Sequence, residues 1–129
     1  MRRPARELAL QALFQAEFSA PAPLASFLGL YEEKFPSEAF EYAQGLVEGV
    51  LKHKAAIDAL IQTHSRHWKI ERIALVEKNI LRLALVETKF SADPLNPSIA
   101  IDEAVEIAKK YGSTEAGSFV NGILDQARM

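Results

Sequence analysis

Apolar residues recur every three or four positions along most of the chain, a spacing that predicts α-helices. Proline and glycine separate these apolar stripes into segments. We predict about seven helices, which lie at 4–19, 24–34 and 36–64, twice within 65–90, from Ser98 to Gly112, and from Thr114 onward. No clear strand candidate interrupts this pattern, so the fold class is predicted to be all-α.

Several helix ends carry local signals. Pro4 suits a first helical turn, and Ser98 and Thr114 can cap the last two helices. Gly112 can end the penultimate helix in the left-handed conformation. The run 80–86 is apolar nearly all round, which predicts a central helix with neighbours on several sides.

The stretch FVNGILDQ near the C-terminus has two interpretations. Asn121-Gly122 between apolar residues is typical of a hairpin, but Phe119 and Ile123 have helical spacing. We predict a helix, because no other strand offers a partner. Gly122 costs that helix about 1 kcal/mol relative to alanine. This cost suggests close approach of another backbone, and the alternative is a glycine tolerated near a helix end.

Length and composition indicate one domain with a sizeable core. The chain has 129 residues, of which 49% are hydrophobic, and it has no cysteine. No apolar run approaches the roughly 18 residues that cross a bilayer. Glu7, Gln11, Gln15 and Glu17 interrupt the apolar part of the N-terminus, which argues against a secretory signal. We therefore expect a cytoplasmic protein without membrane contact.

Charge is unevenly distributed although the net charge is only −2. Residues 1–6 hold three arginines, residues 7–51 hold seven acids and one base, and residues 52–90 hold eight bases and four acids. Such segregation predicts separate acidic and basic surfaces. Arginines at a helix start oppose its dipole by roughly 0.3–1 kcal/mol each, whereas phosphate binds well there. Two explanations of the three N-terminal arginines stay open: they bind an anion, or they only make the protein more soluble.

Further bases can extend that patch, and they are Lys52, Lys54, Arg66, Lys69, Arg72, Lys109 and Lys110. Two aromatic residues, Trp68 and Phe119, lie near such bases. An exposed aromatic ring can stack on an unpaired base. The alternative is that these rings pack in the core. Core packing is favoured over RNA stacking for Trp68, and the two are evenly balanced for Phe119.

Catalytic patterns are lacking. His64 and His67 are spaced for a shared metal but have no evident third ligand. Paired acids such as Glu32-Glu33 point in different directions on a helix. The sequence has no nucleophile elbow and no glycine-rich phosphate loop. We predict no enzymatic activity, no cofactor and no metal.

Four blocks of the sequence, in order, resemble the NusB family of transcription antitermination factors. FVNGILD resembles that family's closing signature FVNGVLD, and the overlapping upstream block IAIDEAVEIAKKYGSTEAGSFVNG resembles its VAINEAVELAKKFG…FVNG stretch. VEKNILRLALVE resembles its VDRAILRLAVYE segment, and RRPARELALQALFQAEF resembles its RRxARExALQALYxxE opening. Each block is weak alone, but the ordered set is specific.

The resemblance implies an all-α domain over 1–129, made of two packed helical subdomains of about 1–64 and 65–129. It implies binding of boxA, a single-stranded RNA element, as a heterodimer with NusE, which is ribosomal protein S-ten. NusA, NusG and RNA polymerase would join them in reading through terminators of ribosomal RNA operons. Apolar faces that NusE covers can also pair two copies of this chain.

The resemblance also implies roles for individual residues. The expected RNA contacts are Arg2, Arg3, Arg6, Arg72, Glu115, Ser118 and Phe119. The expected NusE contacts are Phe14 and Glu77, and the expected structural residues are Asn121 and Gly122.

The chain departs from the family pattern at Pro4, where many relatives carry arginine, and at Glu77-Lys78-Asn79, where Asp-Arg-Ala is commoner. Two alternative functions remain open at this point. One is the helical domain of an RNA methyltransferase, and the other is a protein–protein adaptor that does not bind RNA.

Overall fold

The computed structural model describes residues 2–18 and 28–128 of the chain. These ranges contain five α-helices and two one-turn 3-10 helices. The α-helices are α1 (Arg3–Glu17), α2 (Ser37–His64), α3 (Leu75–Lys89), α4 (Pro97–Tyr111) and α5 (Ala116–Ala127), and the 3-10 helices are Glu32–Lys34 and Ile70–Arg72. No strand occurs in the described ranges, so the predicted all-α class is confirmed there.

The five α-helices that lie wholly within the described ranges are fewer than the predicted seven. The helix expected at 24–34 falls partly outside the described residues; in its described part, Leu28 and Gly29 are α-helical and Glu32–Lys34 form a 3-10 turn. The short helix expected after residue 65 is a single 3-10 turn. Hydrogen bonds to side chains take the place of helical backbone hydrogen bonds there. The Ser65 hydroxyl donates to the Trp68 carbonyl, and the Ile70 amide donates to the Gln62 side chain.

The long helix α2 matches its predicted range but bends at His53, whose φ of −109° and ψ of 16° are not helical. The His53 ring lies 4.9 Å from that of Phe90. Before the bend, α2 packs closely on α3, because a Cβ on Gly49 would come within 2.8 Å of Val86 Cγ1. Gly49 is therefore the glycine that lets two helices approach.

Helix α3 lies at the centre of the fold, as its all-round apolar pattern predicts. Every residue from Asn79 to Glu87 is buried. The helix packs against α1, α2, α4 and α5, and one hydrophobic cluster draws residues from all five helices. The division into subdomains near residue 64 stays a prediction.

Three expectations about helix ends are wrong. The Asn96 side chain, not Ser98, caps α4 by accepting the Ser98 amide, because Pro97 takes the first helical position. Gly112 has an extended backbone with φ of −106°, not the left-handed conformation. A glycine is needed there for space, because a Cβ at this position would lie 2.6 Å from the Ala116 Cβ. Thr114 precedes α5, whose N-cap is Glu115 without a side-chain cap bond.

The FVNGILDQ stretch is helical, so the prediction of a helix rather than a hairpin is confirmed. The close approach expected at Gly122 is wrong. A Cβ built there would have no neighbour within 4 Å, and both Asn121 and Gly122 are exposed. The alternative of a tolerated glycine describes Gly122 better.

No helix in the described ranges is both long enough and apolar enough to cross a membrane.

Candidate nucleic-acid interface

The start of α1 carries two arginines with different partners. The Arg2 guanidinium lies over the Tyr42 ring, 4.3 Å from its centroid. Arg3 donates from Nε and Nη2 to the two carboxylate oxygens of Glu103, at 3.0 and 2.7 Å. These hydrogen bonds from Arg3 hold the pKa of Glu103 below its usual value. Arg3 itself remains half exposed, so part of its side chain is open to solvent.

Arg6 is buried and fully occupied. Its Nε and Nη2 donate to Glu87 at 2.7 and 2.8 Å, and its Nη1 donates to Glu103 at 3.2 Å. The Tyr42 hydroxyl also donates to Glu87. Burial, with that hydrogen bond, raises the pKa of Tyr42 to about 12. This placement argues against the direct RNA contact predicted for Arg6 and indicates that it joins α1 to α3 and α4.

A third acid of this surface, Glu7, directly follows Arg6 on α1. Glu7 accepts from Lys110 Nζ at 2.9 Å and from the Tyr111 hydroxyl at 2.8 Å. Lys109 in turn lies 3.4 Å from Glu106. The two lysines expected to extend the basic patch are therefore partly neutralised by neighbouring glutamates.

An aromatic cavity of about 200 Å³ lies between the loop before α3 and the start of α5. Trp68 and Phe119 line it, together with Arg72, Glu77 and Glu115. Trp68 is 55% exposed, so the core packing favoured for it from the sequence is wrong. Phe119 is half-buried and packs against the core. The folded chain thus gathers three of the expected RNA contacts around one opening.

The remaining predicted residues lie on or beside these features. Ser118 is exposed on α5 next to Phe119. Glu77, expected to contact NusE, lies in the aromatic cavity beside residues expected to contact RNA. Phe14 is 40% exposed on α1, where its ring lies 5.2 Å from that of Phe18, which is 71% exposed.

Helix α4 connects the arginines to the aromatic cavity. Glu103, which holds Arg3, and Tyr111, which holds Glu7, are eight residues apart, or about 12 Å along a helix. Gly112 follows, and a Cβ there would lie 3.6 Å from Glu77 in the cavity wall. A ligand reaching from the α1 start to the cavity would therefore follow the edge of α4.

In the described ranges, no three histidine, aspartate or glutamate side chains lie together as possible ligands of one metal ion.

Comparison with known proteins gives a match over nearly the whole chain, since the model of the NusB family covers residues 3–128. The chain belongs to the NusB family. The resemblance seen in the four sequence blocks is therefore confirmed.

Relatives named transcription antitermination protein NusB share much of this sequence. The protein from Bdellovibrio bacteriovorus is 54% identical over 125 residues, which are 97% of this chain and 93% of that protein. The protein from Myxococcus xanthus is 41% identical over 130 residues, with 97% of this chain and 92% of that protein covered. These NusB relatives thus have little sequence beyond the matched part.

Solved structures of NusB proteins have the same fold. NusB from T. maritima superposes with a TM-score of 0.86 at 37% identity, covering 98% of this chain and 89% of that one. A NusB chain in a crystal structure with NusE and double-stranded RNA gives a TM-score of 0.81 at 34% identity, covering 98% and 94%.

The NusB motifs alone did not reveal the acids that hold the arginines. Glu87 and Glu103 lie 81 and 97 residues from Arg6, and Tyr42 joins them from α2. One sequence feature points to Glu87: it ends an otherwise apolar run in α3. Such a carboxylate is expected to be buried, and a buried carboxylate needs a cationic partner.

Proposed function

We propose that this NusB-family protein is a transcription antitermination factor that binds single-stranded boxA RNA together with NusE and supports read-through of ribosomal RNA operons. The names of its relatives support antitermination. A structure of NusB and NusE with double-stranded RNA, in which the NusB chain has the same fold, supports NusE and RNA as partners. The family is one of transcription factors rather than enzymes.

The observation that carries the RNA proposal is the aromatic cavity. Trp68 and Phe119 both line this opening, which has a volume of about 200 Å³. Stacking on aromatic rings requires an unpaired base, which favours a single strand. Arg72 at the same opening can neutralise a phosphate, and Glu115 can accept a hydrogen bond from an exocyclic amino group such as that of cytosine.

Phosphate contacts would continue toward the start of α1. Arg2 and Arg3 are the arginines with exposed surface there, while buried Arg6 holds the start of α1 against α3 and α4. Ser118 adds a hydroxyl beside Phe119. In this proposal phosphate contacts set affinity and the cavity sets sequence preference.

The NusE surface is proposed around Phe14, extended by Phe18, with Glu77 at the edge shared with RNA. The exposed aromatic pair is the kind of anchor that protein interfaces use. NusA, NusG and RNA polymerase would complete the complex in the cytoplasm, and the same apolar face can pair two copies when NusE is absent.

The two-subdomain architecture is part of the same proposal, with a boundary near residue 64 between α2 and the loop before α3. Amide hydrogen exchange tests it, because separate units open with different free energies. A single shared free energy of opening in both halves would contradict the division.

A test of RNA binding uses fluorescence anisotropy with a boxA-like RNA and a scrambled RNA of equal composition, each with and without NusE. We expect preference for the boxA-like strand, and stronger binding with NusE. Trp68→Ala and Phe119→Ala should each weaken binding by roughly 1–3 kcal/mol per lost stack. Ile99→Ala is the control, because Ile99 is 51% exposed but lies away from the cavity.

A second candidate, an adaptor that does not bind RNA, is favoured by one observation: Arg3 and Arg6 already pair with Glu103 and Glu87. It predicts equal, weak binding to both RNAs even when NusE is present. It also predicts that Arg2→Ala with Arg3→Ala leaves antitermination intact while Glu77→Lys abolishes it.

A further inference from the structure

A groove runs along the first half of α2, opposite the segment 28–35. It encloses about 620 Å³. Its floor is apolar, with buried Leu28, Phe40 and Val47, and it ends at Leu51, which is 50% exposed. We call this feature the α2 groove. It shares no lining residue with the aromatic cavity.

The rim of the α2 groove is acidic. Glu32 stands on one wall, and Glu41 and Glu48 stand on the other. Residues 28–51 hold five acids and one base, which is where most of the acidic excess seen in the sequence falls. The undescribed stretch 19–27 has no lysine or arginine in its sequence, so it brings no countercharge.

These rim acids differ from the acids packed around α1. Glu7, Glu17, Glu87 and Glu103 each lie within 4.0 Å of a lysine or arginine nitrogen. Among the described residues, none of the three rim glutamates has such a partner. Their negative charges add over a concave surface, which concentrates the field.

The apolar floor has the spacing of one helix face. Along α2, Phe40, Gln44, Val47 and Leu51 follow one another at intervals of three or four residues. From Ser37 to Leu51 the groove is about 21 Å long by the rise of a helix. That length matches one face of a helix of about 14 residues.

We propose that the α2 groove docks a basic amphipathic helix of a partner protein. Its apolar face packs on Phe40, Val47 and Leu51, as in helix-in-groove recognition. Its lysines or arginines lie against Glu32, Glu41 and Glu48, which speed association and fix orientation. This surface is separate from the RNA and NusE surfaces proposed above, so it goes beyond that function.

The test follows backbone amide signals by NMR while a synthetic 14-residue peptide of leucine and lysine with helical spacing is added. We expect shifts to cluster at residues 28–51, and a matched leucine–glutamate peptide to give none. Glu41→Gln with Glu48→Gln should weaken lysine-peptide binding about tenfold, since charge-assisted contacts are lost. The control is Glu71→Gln with Asp93→Asn, two exposed acids outside the groove, which should leave binding unchanged.

Shifts centred elsewhere, or equal weakening by both double variants, would overturn the proposal. Sedimentation of the free protein tests whether a second copy of the chain occupies the groove instead. If the protein dimerises and Leu51→Glu makes it monomeric, the groove is a self-association surface and the partner helix is ruled out. A monomer whose lysine-peptide binding is lost in Leu51→Glu supports the proposal.

Discussion

Arg3 and Arg6 are one helical turn apart, yet their surroundings differ. Arg3 is half exposed and meets one carboxylate, whereas Arg6 is buried between Glu87 and Glu103. The sequence places both at a helix start but shows nothing of acids more than 80 residues away. The exposed arginine is suited to phosphate, and the buried one to holding helices together.

Removing the negative charge of Glu103 should strengthen RNA binding. Phosphate must displace this carboxylate from Arg3, and an ion pair this exposed to solvent is weak enough to be displaced. We expect Glu103→Gln to raise RNA affinity about two- to fivefold. Asp102→Asn is the matched control, because Asp102 is exposed on the same helix and has no cationic partner among the described residues. Equal effects of the two variants in anisotropy titrations would mean that only net charge matters.

At the scale of elements, helices α1 to α5 could be located from the sequence because each buries one stripe of the 3.6-residue period. Helix ends were less predictable. The Asn96 cap depends on Pro97 occupying the first position, and the 3-10 turn at Ile70–Arg72 depends on Gln62 bonding across the loop. The aromatic cavity was half predicted: Phe119 and Arg72 were named, but the exposure of Trp68 follows from tertiary packing that no local pattern records.

Two glycines in helices should respond oppositely to alanine. Gly122→Ala should stabilise the protein by about 0.5–1 kcal/mol, because helix propensity rises and the new methyl meets nothing within 4 Å. Gly49→Ala should destabilise it, since the methyl would lie 2.8 Å from Val86 Cγ1 and overpacking typically costs about 1–3 kcal/mol. Urea unfolding of both variants measures this. A destabilised Gly122→Ala would show that α5 is covered there in solution.

At the scale of the whole molecule, acids and bases occupy different surfaces. Most described glutamates near α1 are paired, while the α2 groove keeps its negative charge. The exposed arginines proposed as phosphate contacts therefore decide how far RNA binding depends on salt. With Arg2, Arg3 and Arg72 as phosphate contacts, log affinity should fall with log salt at a slope of about −2, since a single strand gives about −0.7 per contact.

Titration of RNA affinity between about 50 and 200 mM salt gives that slope. Arg72→Gln should make it shallower by about 0.7, whereas Lys34→Gln, a base outside the proposed interface, should not change it. A flat salt dependence would contradict phosphate binding altogether.

The paired glutamates also predict a loss of stability in acid. Burial raises the pKa of Glu7, but hydrogen bonds from Lys110 and Tyr111 outweigh it and leave that pKa below the ordinary 4.5. Hydrogen bonds from Arg3 lower the pKa of Glu103. A carboxyl whose pKa is lowered on folding stabilises the fold above its unfolded pKa and loses that contribution as pH falls through the folded pKa.

Thermal melting from about pH 6 down to about pH 2 should therefore show a decline that begins near the ordinary glutamate pKa. The decline should be shallower in Glu7→Gln with Glu103→Gln than in Asp93→Asn with Asp102→Asn. If the two double variants lose stability in parallel as pH falls, groups other than Glu7 and Glu103 cause the acid sensitivity.

The contacts of Tyr42 have a consequence for the kinetics of RNA capture. Its ring supports Arg2, and its hydroxyl bonds the same carboxylate that anchors Arg6. The guanidinium of Arg2 thus lies over a ring before the proposed RNA binds. Part of the ordering of the Arg2 side chain therefore occurs when the protein folds. Less of its rotamer freedom is then lost when RNA binds. Removing the Tyr42 ring should leave the charge in place yet make capture entropically harder.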